Sequence, residues 1–263
     1  MNLDVDGRAA YAYTASRPFD VARPTIAFVH GAANDHSVWS LQSRYFAHHG
    51  CNVLAVDLPG HGRSAGAALT SVEALADWLL ALLDAAGAGH VTLVGHSLGA
   101  LAALEAAARA PARVTRVALL GPAVPMPVSD VLLSAAKADD HVALELINGW
   151  SFSAPKQLGN NRLPGVWMAG NSLRLMERTR PGVLYTDLAA CNGYANGLSA
   201  ARLVQCPALL ILGGRDVMAP PRAAKELAEA LRETRTVTLA GCGHAMMAEQ
   251  PDAVLDALVA FLR

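Results

Sequence analysis

Short runs that are apolar along their whole length, each followed by a longer segment of helical periodicity, constrain this chain more than any other feature. Residues 25–29 (Thr-Ile-Ala-Phe-Val) precede a helical segment at about 37–49, residues 52–56 precede 72–86, and residues 91–94 precede 98–110. Residues 114–120 close the first half, and the alternation returns with 208–212 before 222–231 and 236–239 before 251–262. A strand with one face in water alternates apolar and polar residues, so strands apolar throughout are covered on both faces. Helical crossovers carry the chain back to the same end of the sheet and leave successive strands parallel. The pattern predicts an α/β fold, a mostly parallel, eight-stranded sheet with helices on both faces. The outermost pieces, residues 3–5 and 9–14, are short enough to form a hairpin turning at Asp6-Gly7.

Composition narrows the functional classes. With 53% hydrophobic and 16% charged residues among 263, the chain buries enough apolar surface to order itself, which excludes a disordered protein. Twenty-one Lys+Arg against 22 Asp+Glu give a formal net charge of −1 with no basic run. No nucleic-acid stripe or anionic-membrane patch is therefore expected. The longest apolar stretches, 74–86 and 98–108, are broken by Asp77, Asp84 and Glu105. They fall short of the roughly 20 uninterrupted residues that span a bilayer. The N-terminus, Met1-Asn2-Leu3-Asp4-Val5-Asp6, has neither the basic nor the apolar part of a secretory signal, which predicts a cytoplasmic protein. Cys51, Cys191, Cys206 and Cys242 form no C-x-x-C pair and read as buried free thiols. No metal and no cofactor are expected.

One region breaks the rhythm. Residues 126–201 carry helical patterns at 128–138 and 141–147, then a Gly/Asn/Pro-rich passage at 158–165, and no clear strand. An insertion of this kind between two strands reads as a mainly helical cap (126–201) on a core of 1–125 and 202–263. Ligands of open α/β sheets bind outside the carboxyl ends of the strands, where such a cap would lie.

The most informative segment is Gly95-His96-Ser97-Leu98-Gly99, which follows an apolar strand and opens a helix. The tight strand-to-helix turn strains the backbone at Ser97, and side chains at positions 95 and 99 would collide with neighbouring chain. Ser97 then stands above the sheet at a helix N-terminus, where N–H groups favour developing negative charge. A serine hydroxyl needs a base, and the base needs an orienting group. Asp216 lies in the loop after the strand 208–212, and His244 in the glycine-flanked loop after 236–239. The chain order Ser, Asp, His is the one expected when the serine sits on a nucleophile elbow.

With these motifs in place, the sequence resembles the α/β-hydrolase fold enzymes that carry a lid, over essentially the whole chain. His30-Gly31-Ala32-Ala33 resembles the family's HG segment, and Asp57-Leu58-Pro59-Gly60-His61-Gly62-Arg63-Ser64 its D-x-P-G-x-G-x-S loop. The resemblance implies Ser97 as nucleophile, His244 as general base and then acid, and Asp216 as the group that orients the imidazole. It implies an oxyanion hole made by the backbone N–H groups of Leu98 and Ala32, with Ala33 as the other candidate for the second donor. Haloalkane dehalogenases and epoxide hydrolases share the scaffold but need a carboxylate at the elbow, where this chain has Ser97.

Around these motifs stand less specific residues. Asp130 reads as a helix-start aspartate, His30, His61 and His96 as loop-fixing histidines, and Glu249 as support for the helix that follows it. A tentative substrate pocket comprises Ala33, Met126, Trp150, Phe152, Trp167 and Met246. The aromatic residues of the cap either wall the pocket or fasten the cap to the core. Arg162, Arg174, Arg178 and Arg180 either clamp an acidic substrate or lie solvated on the surface. The expected activity is hydrolysis of a small to medium carboxylic ester or lactone through an acyl-enzyme on Ser97. C–C bond hydrolysis or hydroxynitrile lyase chemistry of the same fold is the alternative, and a ligand receptor on a hydrolase scaffold is the alternative of another class.

Overall fold

The computed structural model describes residues 1–159 and 166–263. Its eight strands are β1 (Asn2–Val5), β2 (Arg8–Tyr13), β3 (Thr25–Val29), β4 (Asn52–Val56), β5 (Val91–His96), β6 (Val114–Leu120), β7 (Ala208–Gly213) and β8 (Thr234–Leu239). They form one sheet in the order β1-β2-β4-β3-β5-β6-β7-β8. The pairs β1/β2 and β2/β4 are antiparallel, and all pairs from β4 to β8 are parallel. The first hairpin turns at Asp6 (φ 52°) and Gly7 (φ 73°), the two positive angles that let a two-residue turn follow the twist of its strands.

The period of two along each strand splits the core. Ala27 and Val29 of β3, Leu54 and Val56 of β4, and Leu210 and Leu212 of β7 face one layer. That layer is filled by α2 (Val72–Ala85), α3 (Leu98–Arg109), α9 (Gly197–Leu203) and α10 (Lys225–Ala230). Ile26 and Phe28, Val53 and Ala55, and Leu209 and Ile211 face the other. There they meet Trp39, α1 (Ser40–His48), α11 (Met246–Glu249) and α12 (Pro251–Leu262). Two buried faces explain why these strands carry no polar alternation.

Between β6 and β7 lie α4 (Asp130–Lys137), α5 (His141–Ser151), α6 (Ala154–Gln157), α7 (Met168–Met176), α8 (Val183–Gly193) and then α9. Local chemistry starts two of these segments: Ser129 caps α4 and Asp140 caps α5, as Ser71 caps α2 in the core, each side-chain oxygen accepting a main-chain N–H that the helix leaves unpaired. Leu132, Ala136, Ala143, Ile147, Met176, Leu184 and Leu188 give the insertion a small core of its own, seated on Ala33 of the loop after β3. Its last helix behaves differently. Ala200 and Ala201 of α9 are fully buried in the main core, so the predicted boundary at 201/202 falls inside a helix that packs with the sheet layer. The second half of the Gly/Asn/Pro-rich passage, with Arg162, lies outside the described residues.

The chain leaves β3 for β4 on one side and returns to place β5 on the other. Loops after β3 and β5 therefore diverge at adjacent strand ends, leaving a crevice between them. The segment His30-Gly31-Ala32 and Ser97 stand at that crevice. Among the described residues no helix is long and apolar enough to cross a membrane.

Candidate active site

Ser97 has φ 54° and ψ −119°, a left-handed conformation costing on the order of 1–3 kcal/mol that only tight surroundings maintain. Those surroundings demand glycine on both sides. A Cβ on Gly95 would lie 2.1 Å from the carbonyl oxygen of Gly99, and one on Gly99 would lie 2.4 Å from that of Val29. Ser97 N–H donates to the Leu120 carbonyl at 2.9 Å, tying the turn to the end of β6. Leu98 is the first residue of α3, so its N–H has no carbonyl partner within the helix, while the Ala100 and Leu101 N–H groups donate to the Ser97 carbonyl at 2.9 and 3.2 Å.

His244 reaches this point from β8, two strands beyond β6, by a loop that crosses the end of β7. The crossing is close enough that a Cβ on Gly213 would lie 2.2 Å from the Gly243 carbonyl oxygen. His244 Nδ1 is 2.6 Å from Asp216 Oδ2, and Asp216 Oδ1 accepts the N–H groups of Met218 (2.9 Å) and Ala219 (2.8 Å). Burial works against the Asp216 charge, but His244 and these N–H donors outweigh it and hold the carboxyl below its usual range. A carboxylate at Nδ1 keeps the proton there and leaves Nε2 with a lone pair that can accept one. Both Asp216 and His244 are buried. Ser97 and His244 line the same cavity.

Two further histidines are neutral by construction. Burial, then the neighbouring His244, pushes His96 down to about 3, and its Nε2 stands 3.0 Å from the His244 carbonyl oxygen, to which it donates. Burial, then His61, pushes His30 down to about 4. His30 Nε2 accepts the Leu58 N–H at 3.1 Å, so Nδ1 carries the proton and donates to the Gly31 carbonyl at 2.8 Å.

The D-x-P-G-x-G-x-S loop is held by its first residue. Asp57 accepts from the His36 N–H, the His36 ring and the Arg63 N–H at 2.8–2.9 Å. Burial opposes its charge, yet these donors keep its carboxyl below the usual range. Asp35, His36 and Asp57 have ligand-type atoms within 4.8 Å of one another. The Asp57 and Asp35 oxygens already accept main-chain N–H groups, the work of a loop fastener.

A cavity of about 1000 Å³ opens above Ser97 and His244. Gly31 and Ala32 line it from the loop after β3, and Val128, Leu132, Ile147 and Leu188 from the insertion. Of the predicted pocket residues, Met126, Trp150 and Phe152 line the cavity, with Trp150 partly exposed. Ala33, Trp167 and Met246 do not. Ala33 is buried beneath the insertion, and its N–H donates to Asp187 Oδ2 at 2.9 Å, which removes it as an oxyanion donor. Trp167 is 64% exposed and its indole lies against Gly170 of its own helix. Met246 is fully buried in the layer beneath α12. Among the described residues no Arg or Lys lines the cavity, and Arg174 instead pairs with Glu177 at 2.6 Å on the surface.

Sequence reasoning missed two carboxylates. Glu249 was expected to serve the helix after it. Its oxygens accept instead from Gly243 N–H (3.1 Å) and from the Ser153 N–H and hydroxyl (2.8 and 2.6 Å), tying the His244 loop to the insertion. Asp187, alone among the neighbouring residues of α8 in carrying a charge, pairs with His61 at 2.8 Å. The one available signal was a lone acid in an apolar helix, which must find a partner if buried.

An eight-stranded, mostly parallel sheet with a serine elbow at its switch point defines the α/β hydrolases, and the chain belongs to the alpha/beta hydrolase family, whose sequence profile matches residues 26–257. It is an enzyme of that family, and its relatives include esterases. Over 88% of its length it is 31% identical to a pimeloyl-[acyl-carrier protein] methyl ester esterase of Aromatoleum aromaticum, 94% of which is covered. The enol-lactonase from Burkholderia xenovorans has the same fold, with a TM-score of 0.87 at 24% identity over 100% of this chain and 99% of that one. An esterase from Exiguobacterium antarcticum follows with 0.86 at 18% identity, over 100% and 98%.

Proposed function

We propose that this chain hydrolyses an uncharged carboxylic ester or lactone of small to medium size through an acyl-enzyme on Ser97. The observation that carries the reading is the 2.6 Å bond from His244 Nδ1 to a triply hydrogen-bonded Asp216, with His244 lining the same cavity as the strained Ser97. His244 Nε2 takes the hydroxyl proton as Ser97 Oγ attacks the carbonyl carbon. The oxyanion is met by the N–H groups of Leu98 and Ala32, and removing one such donor costs about 10²–10³ in turnover. The imidazolium returns its proton to the departing alkoxide as the C–O bond breaks. Water then attacks the acyl carbon, its proton passes to Nε2, and Ser97 leaves with that proton.

The largely apolar lining, which includes no Arg or Lys among the described residues, supports a neutral substrate, and the pocket volume lies at the upper end of small-molecule sites. The cap contributes a large share of that lining, Val128, Leu132, Ile147 and Leu188 among it, so substrate choice rests there in part. A panel of p-nitrophenyl esters from acetate to decanoate, compared with the same acids bearing a terminal carboxylate, tests the reading. Neutral esters should turn over and their ω-carboxylated counterparts should not. Equal turnover of both sets would overturn the charge argument, and no ester or lactone turnover would overturn the reading itself.

A further inference from the structure

We propose that Asp187, a residue of the insertion, is a positioning residue for the oxyanion-hole loop, so that the hole is assembled only when α8 is docked. The proposal rests on the Ser97 acyl-enzyme reading above. Three successive peptide groups of that loop are each held by a separate partner. The Gly31–Ala32 peptide, which carries the Ala32 N–H, has its carbonyl oxygen bound by His30 Nδ1 at 2.8 Å. In a trans peptide the N–H points opposite the carbonyl, so this bond also aims the Ala32 N–H. The Ala32–Ala33 peptide is gripped at both ends. Its carbonyl accepts from Asn34 Nδ2 at 2.9 Å, and its N–H donates to Asp187 Oδ2 at 2.9 Å. The Ala33 carbonyl accepts from Thr179 Oγ1 at 3.2 Å, a second hand from the insertion. Ala33 itself has φ 53°, a conformation that persists only because its surroundings hold it.

Asp187 is in turn held by His61. The His61 Nδ1 faces the Pro59 carbonyl at 3.0 Å and its Nε2 faces Asp187 Oδ2 at 2.8 Å. Both partners are acceptors, so both ring nitrogens carry protons and the ring is an imidazolium. The pair is almost wholly buried, with 2% of each side chain exposed. Burial opposes the His61 charge, but Asp187, the Pro59 carbonyl and the more distant Asp57 outweigh it and hold its pKa above the usual histidine value. The other titratable group packed against the ring is His30, 4.9 Å away between centroids and kept neutral. Charge on His61 is thus the condition for Asp187 to stay where it holds the Ala33 N–H.

Two variants test the assignment, with kcat counted per Ser97 titrated by a fluorophosphonate so that misfolded protein drops out. Asp187→Ala leaves the Ala33 N–H without its acceptor, and kcat per site should fall at least about tenfold with KM changed by no more than about twofold. Asp187→Asn, with its amide oxygen in the place of Oδ2, keeps an acceptor for the Ala33 N–H and for the Nε2–H of His61, and removes the charge that holds the ring as an imidazolium. It should hold kcat within about threefold of the parent and abolish the alkaline decline of kcat that deprotonation of His61 imposes. If the alanine variant does not fold, the asparagine pH profile decides alone. An alanine variant with unchanged kcat per site, or an asparagine variant that keeps the parent's alkaline limb, overturns the proposal. Loss of ester turnover in the parent protein would instead overturn the acyl-enzyme reading.

Discussion

Asp216 presents one carboxylate oxygen to His244 Nδ1 at 2.6 Å while its other oxygen accepts two main-chain N–H groups of the same loop. The acid is therefore fixed by its backbone before it orients the ring. Replacing it with asparagine keeps an oxygen for Met218 and Ala219 but turns an N–H toward Nδ1. The imidazole must then adopt the other tautomer, with its proton facing the serine. Asp216→Asn should fold with an unchanged circular dichroism spectrum and lose about 10⁴-fold in kcat on its best ester. A loss below about tenfold would separate Asp216 from the chemistry.

The elbow predicts a stability effect distinct from a catalytic one. A Cβ at position 95 would stand 2.1 Å from a main-chain oxygen that no side-chain rotation can move. Gly95→Ala should cost about 3 kcal/mol or fail to express in soluble form, which for a chain of this size lowers the melting temperature by roughly 6–12 °C. A scanning calorimetry trace matching the parent would contradict the close approach of Gly95 and Gly99.

Much of the architecture was legible because it depends on local and periodic rules. Strands buried on both faces must be apolar throughout, as residues 25–29 and 52–56 are, and a serine between two glycines after such a strand has few other structural readings. What was not legible depends on direction and on distant partners. Aromatic character placed Trp167 in the pocket, yet an adjacent Gly170 lets its indole fold onto its own helix instead. Met246 follows His244 closely, but the turn of α11 sends its side chain beneath the sheet. Asp187 meets His61 across 126 residues of sequence, a separation no local pattern announces.

Acid stability follows from the neutral histidines. His30 and His96 have folded-state pKa values of about 4 and about 3, below the ordinary value near 6.5. The unfolded chain therefore binds these protons first, and stability falls as pH drops from about 6.5 toward 4, by up to about 1.4 kcal/mol per pH unit for each group. The lowered carboxyls of Asp57 and Asp216 add stability that persists through this window and is lost only below it. His61, with a raised pKa, contributes stability below about 6.5 that is lost as pH rises through its folded value. Urea unfolding at pH 7, 5.5 and 4.5 should show a steady decline in free energy, reduced in His96→Gln if that variant folds. A flat profile would contradict the buried, uncharged state of these rings.

The central claim is that Ser97 carries the acyl group. Incubation with a p-nitrophenyl ester, acid quench within one turnover and intact-protein mass spectrometry with peptide mapping test it directly. One acyl mass on the peptide containing Ser97, absent from Ser97→Ala together with ester turnover, is the predicted result. Turnover that survives Ser97→Ala, or an acyl group mapped elsewhere, would contradict it.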